Sequence, residues 1–203
     1  AEPGNAHVHA SLGRLQAMRG QFTEAEASLK KAAELDPKLV RPRMDLADLY
    51  ATTFRKPRDA LALYRSVLAI DASHAGAHYA SGIVLSGLGE LDQAGRAFEA
   101  AQRIEPRNPL PPLALARLAI ARKDDRGAMN WVERALAIQP GMAEALETRA
   151  DIRQMRGEND QALSDYAAVL RVNPDRVGTL LKQGSLLQKL GRNEAAAEAY
   201  QAA

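Results

Sequence analysis

The sequence has no cysteine at all, which removes disulfides, thiolate metal sites and thiol nucleophiles together. Proteins of oxidising compartments also can lack cysteine, so the compartment stays open. Aromatic residues make up only 4% of the 203 positions. Together with abundant alanine, that scarcity suits close-packed helices and does not suit β-sheets. No charge sign dominates: 27 basic against 25 acidic residues leave a net charge of +2. The basic residues are spread along the chain, which argues against nucleic acid or an anionic bilayer as the main partner. Long apolar runs are missing too, since a charged residue interrupts each one well short of the roughly 18 to 20 residues of a membrane span. A hydrophobic content of 46% is enough for a real core. The chain reads as all-α.

What is present is a period. Prolines stand at Pro3, Pro37, Pro106, Pro140 and Pro174, 34 residues apart except for the gap after Pro37, which is two periods plus one residue. Ala72 takes the missing proline's place, in Ile70-Asp71-Ala72 against Leu35-Asp36-Pro37. Seventeen residues before this position come Gly20, Gly89, Gly157 and Gly191, placed to end a helix in the left-handed conformation. Small residues recur twelve before it, at Ala25, Ala94, Ala128, Ala162 and Ala196, and five before it, at Ala32, Ala101, Ala135 and Ala203. A large one recurs eight before it, at Leu29, Phe98, Val132, Tyr166 and Tyr200. Pairs such as Leu12-Gly13, Leu46-Ala47, Ser81-Gly82, Leu115-Ala116 and Gln183-Gly184 mark the preceding helix. Each unit therefore reads as helix, glycine turn, helix, proline break.

Small pair, turn glycine, alanine, large residue, alanine and proline at these spacings resemble the tetratricopeptide repeat, over essentially the whole chain. The resemblance implies an all-α, right-handed superhelical solenoid of antiparallel helix pairs. Six units are expected at residues 6–39, 40–74, 75–108, 109–142, 143–176 and 177–203, the last incomplete, with 1–5 as the tail of a preceding repeat. On this reading the chain is a section of a longer array. A continuous coiled coil is excluded by glycine and proline in every period, and the RNA-reading pentatricopeptide repeats lack this column pattern.

Two units depart from the pattern. The second carries one extra residue around Phe54, read either as a tolerated loop insertion or as a bulge whose Phe54 makes a contact. The fourth has Lys123 where its siblings have glycine, and a left-handed lysine costs about 1 kcal/mol, so a rearranged or strained turn is expected there.

No phosphate loop, nucleophile elbow or zinc helix occurs. His74 and His78 with Asp71 have loose metal-ligand spacing, but His74 falls in a break between helices, so they are read as ordinary histidines. No catalytic residue, metal or cofactor is expected.

The family resemblance implies that first helices line a concave groove. Laid on this chain, its groove positions are Arg14, then Arg41, Met44 and Asp48, then Tyr79 and Ile83, then Leu113, Arg117 and Ile120, then Glu144, Glu147 and Asp151. The expected groove is basic at first, apolar in its middle and acidic beyond, and suits an amphipathic or extended peptide. The other reading of Ile83 and Leu113 is core and that of the acidic trio a solvated face, while Trp131 is read as packing rather than as a contact. The family's carboxylate clamp is not visible, since Ala10 and Arg14 stand where it has Lys and Asn. The function this implies is a non-catalytic scaffold binding a protein or peptide, in a bacterial envelope assembly for polysaccharide export or pili. The alternatives are a substrate-recruiting arm of a larger enzyme such as a glycosyltransferase, and a disfavoured RNA-binding role. Self-association through the open ends is also expected.

Overall fold

In the computed structural model, which describes residues 4–203, twelve helices follow one another and no strand occurs among the described residues. Glu2 and Pro3, which carry the expected tail of a preceding repeat, lie outside the described residues. The first compact unit ends at Pro106 and contains α1 (Ala6–Met18), α2 (Phe22–Leu35), α3 (Val40–Thr52), α4 (Pro57–Ile70), α5 (Ala75–Gly87) and α6 (Leu91–Ile104). The second begins at Arg107 and contains α7 (Leu110–Ala121), α8 (Asp125–Ile138), α9 (Ala143–Met155), α10 (Asn159–Val172), α11 (Val177–Lys189) and α12 (Asn193–Gln201). The fold is all-α and tetratricopeptide-like.

The turn within each helix pair is set by one left-handed residue. Gly20, Gly89, Gly157 and Gly191 have φ between +72° and +77°. The next residue's N–H then reaches back to the last helical turn, as from Gln21 to the Gln16 carbonyl at 2.9 Å, which satisfies an orphan carbonyl. Lys123 takes the strained of the two expected turns. Its turn is not rearranged: Lys123 adopts φ +58°, and Asp124 N–H closes on the Ala119 carbonyl at 2.9 Å like its siblings. The geometry persists because packing of α7 on α8 outweighs a cost of about 1 kcal/mol. The inserted residue widens the second turn instead. Arg55 takes the left-handed position, and Lys56 N–H closes one residue further back, on Tyr50.

The break between pairs survives the loss of its proline for a local reason. Asp36, before Pro37, is extended, as a residue preceding proline must be. Asp71 precedes Ala72 and is extended as well. Its Oδ1 accepts from the Ser73 N–H at 3.0 Å and the Ser73 hydroxyl at 2.7 Å, a side-chain turn that does the work of the ring. Asp36 makes the same bond to Lys38 N–H.

Packing follows the columns. The large residue of the second helix sits on the small residue of the first, and the fit is tight. A Cβ on Gly13 would lie 2.7 Å from Leu29, one on Gly82 2.5 Å from the Phe98 ring, and one on Gly184 2.7 Å from the Tyr200 ring. Where the first helix has alanine, at Ala47, Ala116 and Ala150, the residue is fully buried. Neighbouring pairs within a unit share cores: Leu29 with Leu46 and Tyr50, Val132 with Met142 and Ala145, Tyr166 with Leu186.

Candidate functional site

In the first unit, α1, α3 and the start of α2 enclose a cleft of about 400 Å³. Arg14, Asp45, Asp48 and Arg41 line it together with Met18, Phe22 and Leu49. Arg14, Arg41 and Asp48 are three of the residues singled out from the sequence. The spacing of Arg41 and Asp45, four apart on α3, puts both on one face, and Arg41 Nε donates to Asp45 Oδ1 at 2.8 Å. Arg14 approaches from α1, with Nε 3.9 Å from Asp45 Oδ2. That oxygen is buried and accepts no hydrogen bond among the described residues. Burial pushes the Asp45 carboxyl above its usual range, only partly offset by Arg41 and Arg14. Asp48 is exposed and accepts the Tyr64 hydroxyl at 2.6 Å. Burial and that bond hold Tyr64 above the usual tyrosine range.

Asp45, Met18 and Phe22 were not legible as site residues. They lie off the four groove positions of the first helices, and Phe22 belongs to a second helix. The Tyr64 to Asp48 bond did leave a signal. Tyrosine eight before the break coincides with aspartate twenty-three before it in the fifth unit, and twenty-four before it in the second, whose extra residue lies between; Tyr166 donates to Asp151 at 2.8 Å in the same way.

The other candidates have mixed fates. Met44 is half-buried against the first unit's core, and Tyr79 is half-buried with its ring tilted on Phe98, centroids 5.6 Å apart. Ile83 is 50% exposed. Leu113 is corrected: only 4% exposed, it belongs to the second unit's core with Ala116 and Val132 and offers no surface to a partner. Ile120 is half-buried against that core, while Arg117 is exposed. Phe54 is half-buried edge-on to Tyr50, and Trp131 is half-buried against the second unit's core.

The acidic trio carries its own counter-charges. Arg176 Nε donates to Glu147 at 2.7 Å and its Nη2 reaches Glu144 at 3.5 Å. Thr179 donates a very short hydrogen bond to Glu147, and Lys182 pairs with Asp151 at 2.7 Å. Burial raises the Glu147 carboxyl, but the Arg176 and Thr179 bonds outweigh it and hold it below its usual range. The partners come from the next helix pair, so reading one helix at a time leaves them out.

His74 and His78 have structural tasks. His74 Nδ1 caps α5 by accepting the Ala77 N–H at 3.0 Å, and His78 Nε2 donates to the Ala72 carbonyl at 3.0 Å. Among the described residues no group of three or more His, Asp or Glu side chains is placed to hold a metal. No helix of the described residues is long and apolar enough to cross a membrane.

Against known proteins, tetratricopeptide repeat models match residues 6–39, 45–109 and 148–203. Cellulose synthase operon protein C of Xanthomonas axonopodis is 30% identical over 85% of the chain, which covers 12% of that protein. The chain spans less than half the length of the curated relatives it matches. Among solved structures, PilW, a widely conserved type IV pilus biogenesis factor, superposes with a TM-score of 0.82 at 23% identity, over 96% of this chain and 90% of that one. YrrB, a tetratricopeptide repeat protein with an unusual peptide-binding site, superposes with a TM-score of 0.65 at 25% identity, over 86% of this chain and 89% of that one.

Proposed function

Because the chain belongs to the tetratricopeptide repeat family, we propose that it is a protein-interaction scaffold that holds a peptide segment of its partner in the cleft between α1 and α3. The observation that carries this is the cleft's mixed lining: an apolar wall of Met18, Phe22 and Leu49 beside the Arg14, Asp45 and Arg41 cluster. An apolar side chain buried on that wall supplies affinity, and polar groups beside it find both donors and acceptors. The exposed guanidiniums of Arg14 and Arg41 accommodate a carboxylate, and Asp45 and Asp48 accommodate a donor. The division into six repeats is retained on this reading, and no residue has a catalytic task.

Peptides selected from a random display library on the intact chain test it. Bound peptide is expected to shift backbone amide resonances of α1 and α3. Phe22→Asp and Arg41→Glu are each expected to weaken binding about tenfold or more, as loss of a buried apolar or charged anchor does, with helicity retained. Binding that survives both substitutions at full strength sinks the proposal.

The setting read for the scaffold is a bacterial envelope assembly of the polysaccharide-export or pilus kind, supported by what the Xanthomonas relative and PilW are named for. A second reading, a recruiting arm of a larger enzyme, is favoured by the 12% share of that relative. The sequence of the full gene separates the two.

A further inference from the structure

On the first unit there is a second cleft, separate from the one between α1 and α3. It has a volume of about 190 Å³ and is walled by α4, α5 and α6. Arg65 comes from α4 and Arg96 from α6, with His78 and Ser81 from α5, and no carboxylate lines it. Neither arginine makes an ion pair or hydrogen bond with another described residue. The acid beside the cleft, Glu90, is engaged by the Gln93 amide at 2.6 Å.

The columns show that this is peculiar to one place. Seven residues before the break position stand Lys30, Arg65, Glu99, Glu133, Ala167 and Gln201, and ten before it stand Ala27, Ala62, Arg96, Asn130, Ser164 and Glu198. Only the junction of the second and third units brings two arginines together, Arg65 from the one column and Arg96 from the other. At the column of Gln93 the first two units carry the acids Glu24 and Asp59, and at that of Ser81 three of the other five have leucine, Leu12, Leu46 and Leu115. The cleft thus gathers cations, has an amide rather than an acid at the Gln93 column, and has a hydroxyl in its wall.

We propose that this cleft is a receptor for a glutamate side chain of an acidic protein partner, gripped by Arg65 and Arg96 with the Ser81 hydroxyl as a third donor. Guanidinium forks match the planar carboxylate. The remaining walls, Leu61, Leu68 and Leu85, suit the aliphatic stem of glutamate, whereas a bare phosphate leaves them wet. This site is distinct from the peptide cleft between α1 and α3, and the scaffold would engage partners on two faces.

The test uses the intact chain and an end-capped peptide of alternating leucine and glutamate, its glutamine counterpart, and inorganic phosphate, at low salt. The glutamate peptide is expected to bind and to shift amides of residues 61–68, 78–85 and 93–97. Binding should fall about tenfold with Arg65→Gln or Arg96→Gln, the scale of one charge-assisted contact, and further in the double variant. Arg58→Gln, an equal loss of charge outside the cleft, should leave it unchanged. The glutamine peptide should bind at least tenfold more weakly. Equal binding of the two peptides, full affinity in the double variant, or saturation by phosphate with no peptide binding would each overturn the assignment. Phe22→Asp should have no effect here, so failure at one cleft is distinguishable from failure at the other.

Discussion

Gly82 and Gly184 occupy the same column and face rings at nearly the same distance, 2.5 and 2.7 Å from a built Cβ, yet they should respond differently to a methyl group. Phe98 is fully buried between neighbouring elements and also bears on Tyr79, so its ring has nowhere to go. Gly82→Ala is therefore expected to destabilise by about 1 to 3 kcal/mol, the usual cost of overpacking. Tyr200 is 39% exposed and its ring can swing outward, so Gly184→Ala should cost a fraction of that, because alanine also favours the helix. Thermal unfolding of the two variants checks this, and equal losses would show that the column, not the freedom of the ring, sets the penalty. The glycine turns and this column were legible in the sequence because each is imposed within one helix pair and repeated. Lys123 shows the limit. Its identity argued for a rearranged or strained turn, and the hairpin closes as in its glycine siblings at the cost of a left-handed lysine.

Elements meet through charges that the columns of a single helix do not display. The expectation of an acidic face summed Glu144, Glu147 and Asp151 on α9 and missed Arg176, Thr179 and Lys182, which stand about one repeat later and close on them. Asp165 shows the same economy inside a pair, buried and gripped by Arg149 at 2.6 Å and Arg153 at 2.7 Å. Removing one partner from a half-buried pair of this kind costs more than breaking a surface pair, because the other charge is left uncompensated. Glu147 is held below its ordinary carboxylate range in the folded chain. Its contribution is thus fully present above the ordinary value of 4.5 and is lost as pH falls through its lower folded value. The protection of α11 amides against exchange, taken relative to the intrinsic rate at each pH, should accordingly fall across that window in the native chain. In Arg176→Ala the exchange should already be faster at neutral pH and the acid-induced change smaller. A variant as protected as the native chain at neutral pH would mean that apolar packing, such as Leu186 on Tyr166, holds α11 alone.

For the molecule as a whole, the period foretold which faces are apolar but not which of them find cover. Twenty-nine and twenty-two residues before the break, or one more in the second unit because of its extra residue, the first helices carry Pro42 and Leu49, Ala145 and Ile152, Thr179 and Leu186, all buried. Each is covered by the second helix of the pair before it, as Val132 and Ala135 pack with Ala145 and Ile152. The first helix keeps the same chemistry at Val8 and Leu15, with Leu12 between them, but these are 39%, 44% and 42% exposed. An apolar stripe of three residues at helical spacing is a docking surface of the kind that soluble chains rarely leave open. The chain is therefore expected to self-associate weakly and in proportion to its concentration, with α1 pressed on a helix of another copy. Sedimentation velocity should show a rising mean mass with concentration. Leu12→Glu with Leu15→Glu should return the chain to a monomer without loss of helicity, since neither residue is in a core. A native chain that stays monomeric at high concentration would remove the prediction. A double variant that still associates would place the contact elsewhere on the molecule.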